Sequence, residues 1–329
     1  VHKWWSLLFG TVMTAAVLLF VVAFPLGWWL PENIAIGTGN YGKRVDNLFY
    51  LILWITGFFF ILTEAIMVYF LFVYAGDQGN LTPANRKYGG ELKPPSLFGF
   101  IIRPLARLIH DQHRLELAWS IVPAIILIII AVTQISAWEA IKYQSKMPSP
   151  GGVGVQQIEV SARQFEWRVR YPSLARMDDW QKEPKYAEDF SEVAHLDDIR
   201  LVNEVHTWVG QKVLVHLKTR DVIHSFYLPN LRLKQDALPG KTIRVWFQAE
   251  KANTRKIGDD WVDGDGYDPQ SGKPNNPEKV WELACAELCG WGHYKMIGKL
   301  YVHETEADFR AWMEHARGKQ YLTDPRKTE

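Results

Sequence analysis

Three long apolar runs open the chain. Trp4–Leu30 holds no charge, Leu48–Ala75 holds one, Glu64, and Leu117–Trp138 holds none. A helix needs about 20 mostly apolar residues to cross a bilayer. The runs therefore predict membrane helices over about 4–30, 48–75 and 117–138, within an anchor spanning 1–147. Pro25 and Pro123 are tolerable in such helices. The first run is longer than the roughly 15-residue apolar core of a signal peptide, so it reads as a retained helix. From Val155 the apolar period changes to two. Val155–Val160, Gln164–Tyr171, Lys212–Leu217, Val222–Leu228, Thr242–Phe247, Val280–Ala284 and Ile297–Val302 read as strands. Short strands separated by turn residues predict a β-sandwich over 155–303. Residues 148–154 (PSPGGVG) read as a flexible linker, and Thr305-x-x-Asp308 as the cap of a C-terminal helix within 304–329.

Charge follows the same division. Of 37 Lys+Arg and 36 Asp+Glu, only 9 and 7 lie in residues 1–138. The net charge of +1 lacks the basic surplus of a nucleic-acid binder. Many of the 15 Trp stand at the ends of the apolar runs, where interfacial belts favour them: Trp4, Trp5, Trp28, Trp29, Trp119 and Trp138. Loop 76–116 carries six Lys/Arg and loop 31–47 carries Lys43 and Arg44. The positive-inside rule puts the first loop in the cytoplasm, and the second loop and the β domain outside, in a bacterial periplasm or its equivalent. Two cysteines, Cys285 and Cys289, exclude a disulfide framework and a C-x-x-C-H haem attachment.

Those cysteines carry the chemistry. In C-A-E-L-C-G-W-G-H-Y-K-M, Cys285, Cys289, His293 and Met296 are spaced 4, 4 and 3 apart. Gly290 and Gly292 disfavour a helix, so a metal-wrapping loop after a strand is expected. Two thiolates, an imidazole and a thioether form a soft set that suits copper better than zinc. His224, in D-V-I-H-S-F-Y-L-P, is the expected distant ligand. Two cysteine sulfurs can each bridge two metals, which would share one electron with little change in bond length. With no coordination position left open, such a centre carries electrons rather than catalysing.

These residues resemble subunit II of haem–copper cytochrome c oxidases, bacterial type. The resemblance covers roughly Leu48–Met313, with two insertions. Asp221, Val222, His224, Ser225 and Pro229 match one motif, Lys234, Asp236, Pro239 and Gly240 a second, and the C-x-E-x-C-G-x-x-H-x-x-M loop a third. It implies membrane helices followed by a cupredoxin-like Greek-key β-sandwich with a binuclear copper centre, CuA. By that similarity Cys285 and Cys289 bridge, His224 and Met296 complete one copper, and His293 and the Glu287 carbonyl the other. The Glu287 carboxylate would reach Mg²⁺ (or Mn²⁺) at the interface with subunit I. Glu116 would lie at the mouth of a proton channel, or be an interfacial charge. Glu64 would serve a proton path, or be neutral and hydrogen-bonded to a neighbouring subunit. Implied partners are the haem-bearing subunit I, other oxidase subunits, lipid, and cytochrome c or a cytochrome c domain of a partner complex. The implied location is a bacterial inner membrane.

The departures are specific. Gln164-Phe165-Glu166-Trp167 stands where the family has Q-W-x-W, so Phe165 replaces the usual electron-accepting Trp, and entry shifts to Trp167 or another exposed aromatic, unless these rings are only core. A third helix exceeds the usual two. Eight acidic residues over 178–198 read either as a solubilising loop or as a surface steering a basic cytochrome. Asp263, Asp265 and Asp268 read as a solvated loop sooner than a cation site. Two other functions share these features: the CuA subunit of a nitric oxide reductase, and a free-standing membrane cupredoxin. Glu287 and Glu116 disfavour the latter, because both make sense against a partner.

Overall fold

A computed structural model describes residues 2–23, 25–35, 41–74, 112–143, 145–183 and 190–323. Most of loop 76–116, with Arg86, Lys87, Lys93, Arg103 and Arg107, lies outside the described residues, as do Lys185, Glu188 and Asp189. The chain divides into two units. One comprises residues 1–29 and 48–135, the other 30–47 and 136–329.

The first unit is helical: α1 (His2–Ala23), α2 (Tyr41–Tyr74) and α3 (Gln112–Lys142), the last two running on into the second unit. Among the described residues two helical stretches are long and apolar enough to cross a membrane, Gly42–Met67 and Glu116–Glu139. Only 6% of each is buried, so neither is the core helix of a soluble protein. Leu127, Ile128 and Phe58 are all more than 60% exposed, as a lipid-facing surface requires. The expected first span is shorter than its apolar run. Its helix ends at Ala23, and the apolar stretch within it, Leu7–Ala23, falls short of a full span. Pro25 disfavours helix at the residue before it, and Gly27 adopts φ +65°, so 25–30 turn instead of continuing the helix.

The second unit is a β-sandwich of two mixed sheets. Twelve strands are β1 (Val155–Arg163), β2 (Glu166–Tyr171), β3 (Ile199–Val202), β4 (Glu204–Trp208), β5 (Lys212–Thr219), β6 (His224–Leu228), β7 (Leu233–Ala237), β8 (Ile243–Gln248), β9 (Arg255–Ile257), β10 (Asp260–Val262), β11 (Trp281–Cys285) and β12 (Ile297–His303). One sheet has the order β3-β2-β1-β5-β8, the other β4-β12-β11-β6-β7. The β1–β5 and β4–β12 pairs are parallel and the rest antiparallel. Ile158, Val160, Val215, Phe226, Phe247 and Leu283 are fully buried between the sheets. Each strand read from the sequence is present. The remaining strands are short or carry polar side chains into the interior, as β4 does with His206 and Thr207. The region 148–154 is less free than a linker, with Gly152 N–H donating to Ser149 O and Val155 N–H to Gly152 O.

Both insertions are ordered where described. Residues 174–182 form α4 (Leu174–Lys182), and 250–279 contains the β9–β10 hairpin. Several described carboxylates of the acidic stretch are held by salt bridges and hydrogen bonds. Asp198 is fully buried and bridges Arg170 at 2.7 Å and Arg176 at 2.6 Å. Asp178 pairs with Arg310 of the C-terminal helix α5 (Glu306–Thr323) at 2.8 Å. Asp197 accepts from Ser173, and Asp179 pairs with Lys182. Arg170 also reaches Glu159 and the carbonyls of Phe190 and Val193, so 190–198 is fastened over β1 and β2. Thr305 caps α5 as expected, its Oγ1 accepting from Asp308 N–H at 3.1 Å.

Candidate metal centre

Strands β6 and β11 are hydrogen-bonded neighbours, with Cys285 opposite Phe226. This pairing brings His224, at the start of β6, to the end of β11, where the cysteine loop begins. Cys285 N–H donates to Met296 O at 3.2 Å and Ala286 N–H to Ser225 O at 3.0 Å, closing the loop at its base. Within it, a short 3₁₀ turn over His293–Lys295 returns Met296 towards the cysteines. Gly290 and Gly292 are where the loop meets Gln164 and Phe165. A Cβ on Gly290 would lie 2.7 Å from Gln164 Nε2, and one on Gly292 would lie 2.4 Å from the Phe165 ring.

The donor atoms converge. The ligand atoms of His224, Cys285 and Cys289 all lie within 4.8 Å of one another. Cys285 Sγ is 3.9 Å from Cys289 Sγ and 3.8 Å from His224 Nδ1. Cys289 Sγ is 3.6 Å from His293 Nδ1 and 3.9 Å from Met296 Sδ. The Glu287 carbonyl oxygen lies 3.3 Å from Cys285 Sγ. Both cysteines are free thiols, and Cys285, Cys289, Met296 and His224 are all buried. Sulfurs 3.9 Å apart leave room for a metal about 2.3 Å from each, a usual metal–thiolate length. The donor set therefore fits a metal, and the sequence-predicted donors lie within one cluster.

Electrostatics already favours a thiolate. Burial opposes ionisation of Cys285, but hydrogen bonds from His224 and the backbone outweigh it and bring the thiol down to about 6. Burial and the charge of Cys285 push Cys289 up to about 12. Loading a metal would displace that second proton. The shell behind the ligands was only partly legible beforehand. Asp221 Oδ1 accepts from His224 Nε2 at 2.8 Å and its Oδ2 from Gln164 N–H at 2.7 Å. A carboxylate can only accept, so Nε2 carries a hydrogen, and Nδ1, which faces Cys285, is the nitrogen a metal would take once its own proton is lost. Gln164 Nε2 donates to Cys289 O. Ser225 Oγ donates to Asp236 Oδ1 at 2.6 Å, which ties the second sequence motif to the strand of His224. The D-x-x-H spacing was the available signal for Asp221, whereas nothing in the sequence pointed to the Gln164 contact.

Other candidate residues fall elsewhere. Trp167 is fully buried, edge-on to His224 with ring centroids 6.2 Å apart, so it meets no partner at the surface. Phe165 is partly exposed and packs edge-on against Trp291 at 5.1 Å. Glu287 has an exposed side chain, and Glu116 is exposed on α3. Glu64 lies within α2, with Oε2 buried and without a hydrogen-bond partner among the described residues. Asp263 pairs with Lys299, Asp265 with Lys279, and Asp268 accepts from Ser271, so the three aspartates do not form a common site.

Residues 157–255 match the family of the cytochrome c oxidase subunit II periplasmic domain. Over nearly its whole length the chain is 25% identical to the alternative cytochrome c oxidase subunit 2 of Bradyrhizobium diazoefficiens, covering 93% of this chain and 92% of that one. The chain is similar to cytochrome c oxidase subunit II. Subunit 2 of Cereibacter sphaeroides is 28% identical over 66% of this chain and 65% of its own. That of Alkalihalophilus pseudofirmus is 28% identical over 64% of this chain and 46% of its own, so the chain spans about half of that relative. Among solved structures, the periplasmic domain of subunit II of the Bradyrhizobium japonicum cytochrome oxidase is similar at 22% identity, covering 50% of this chain and 94% of that one, with a TM-score of 0.33. The family match includes His224 but ends at Arg255, the first residue of β9, so the loop from Cys285 lies beyond the matched stretch.

Proposed function

We propose that this chain is the electron-accepting, copper-bearing subunit II of a haem–copper terminal oxidase in a bacterial inner membrane. It takes electrons from cytochrome c, or from a cytochrome c domain of a partner complex. It passes them to haem in subunit I, where O₂ is reduced to water and protons are pumped. The observation that carries the reading is the convergence of two thiols, two imidazoles, a thioether and a carbonyl at the β6–β11 end of the sandwich. Cys285 and Cys289 would bridge two coppers, with His224 and Met296 completing one and His293 and the Glu287 carbonyl the other. When bound, this CuA pair supplies a one-electron store.

The chain's own residues prepare that site. Asp221 holds the proton on His224 Nε2. Gln164 and the two glycines fix the loop, and burial of both sulfurs keeps water away. The exposed Glu287 carboxylate is free to hold Mg²⁺ (or Mn²⁺) against subunit I, and Glu116 stands as the proton-channel residue. The full chain loaded with copper should bind two coppers and give a seven-line, mixed-valence paramagnetic signal. One copper per chain, or a preference for zinc, would overturn the assignment.

A further inference from the structure

The metal loop turns its ligands inward and bare apolar side chains outward. Cys285, Cys289 and Met296 are buried, whereas Leu288 is 78% exposed, Trp291 80% and Tyr294 68%. Three large apolar groups in seven residues form a patch of the kind that marks an interaction site. The indole is held in place. The Phe165 ring meets Trp291 edge-on at 5.1 Å, and Lys295 Nζ stands 5.8 Å from the Trp291 ring and 5.5 Å from that of Tyr294. In sequence Trp291 lies between Cys289 and His293, two of the converging donors. Trp167 is sealed in the core beneath His224, and Phe165 lies behind the indole.

We propose that Trp291 is the point at which an electron reaches the metal loop, and that Leu288, Trp291 and Tyr294 receive the exposed haem edge of a c-type cytochrome. This rests on the oxidase reading above and adds the residue and the surface. Tunnelling falls off steeply with distance, so a donor must bring its flat, apolar haem edge against the outermost group of the ligand loop. One electron moves: the donor's ferrous haem becomes ferric, and its electron reduces the copper pair held by Cys285 and Cys289. No bond is made or broken. Three side chains make a small contact, the size class of transient redox encounters and far below that of permanent subunit interfaces. Within the acidic stretch Asp178, Asp179 and Asp198 are already paired with cations, which reduces the charge available for steering. Recognition by apolar contact predicts a weak dependence on salt.

The test uses the purified native complex, with soluble ferrous cytochrome c as probe, and compares Trp291→Leu and Trp291→Phe with wild type. Expected for Trp291→Leu are at least a tenfold loss in the bimolecular electron-transfer rate and an unchanged copper paramagnetic signal. Reduction of the copper by dithionite should also be unchanged. Trp291→Phe, which keeps an aromatic ring, should lose less, and it decides the matter if the leucine variant fails to hold copper. Leu288→Ser with Tyr294→Ser should weaken cytochrome binding at least fivefold by surface plasmon resonance. Wild-type rates and binding in these variants would overturn the proposal. So would a Trp291 shielded from aqueous quenchers throughout the resting complex, which would mark the patch as a permanent subunit interface. Absence of a copper signal in wild type would instead refute the oxidase reading itself.

Discussion

Removing the carboxylate of Asp221 should loosen copper without unfolding the domain. His224 is fully buried, and its Nε2–H donates to Asp221 Oδ1 at 2.8 Å while Nδ1 faces Cys285. Losing such a partner of a metal-bound histidine typically reduces affinity about 10–100-fold, or about 1.4–2.7 kcal/mol. Asp221→Asn keeps an oxygen that can accept from Nε2 but loses the charge, so it belongs at the lower end, near tenfold. Asp221→Ala leaves a buried N–H without an acceptor and frees Gln164 N–H as well. It belongs near 100-fold. Affinity is read by competing a chromophoric copper(I) chelator against the full chain in detergent. Urea unfolding of the copper-free variants separates a metal effect from a folding effect. If both variants bind copper within threefold of wild type, Asp221 does not orient His224 and the derivation fails.

Two further outcomes concern stability. Asp198→Ala strips a fully buried carboxylate from Arg170 and Arg176 and should cost about 3–5 kcal/mol, seen as a lower urea midpoint; a loss under about 1 kcal/mol would mean that Arg170 is held by Glu159 alone. Acid should weaken the copper-free domain well before its carboxylates protonate. Burial holds His206 well below the ordinary imidazole value, His303 at about 2 and His216 at about 4. Below pH 6.5 the unfolded chain takes up protons that the folded one refuses, so these three together remove about 4 kcal/mol by pH 5.5. His224 runs the other way: hydrogen bonds to Cys285 and Asp221 overcome its burial and raise its pKa, giving stability at low pH that is lost as pH rises. His216→Gln can keep the hydrogen bond to Gln157 without titrating, so it should lose about a third of the three-histidine loss, and retention of the full slope would refute the assignment.

The metal site was legible because its chemistry is written in adjacent residues. Cys285, Glu287, Cys289, His293 and Met296 lie in one loop, and only His224 had to be brought from another strand. The partners of the acidic stretch were hidden for the opposite reason. Asp178 and Asp198 find them in Arg310, Arg170 and Arg176, across distances that no local spacing reveals. Trp167 failed as a surface contact because alternation alone cannot say which face of β2 turns inward. The first apolar run failed as one helix because hydropathy does not register the backbone restrictions of Pro25 and Gly27.

The segment after α1 bears on topology independently of loop charge. Ile34 is fully buried in the sandwich core, and Ala35 pairs with Ala249 just past β8. Ile34 N–H donates to Asn230 O at 2.9 Å and Glu250 N–H to Ile34 O at 2.7 Å. Arg232 binds Asp46 at 2.6 Å and Pro31 O at 2.7 Å. Burying Ile34 alone is worth about 1.5–3 kcal/mol. The loop before α2 and the domain after α3 pack into one unit and therefore face the same compartment. That is the arrangement Lys43, Arg44 and the six basic residues of 76–116 predict, reached here from packing in place of charge. The segment between α1 and α2 is thus part of the β domain's own packing, through Ile34 and Ala35.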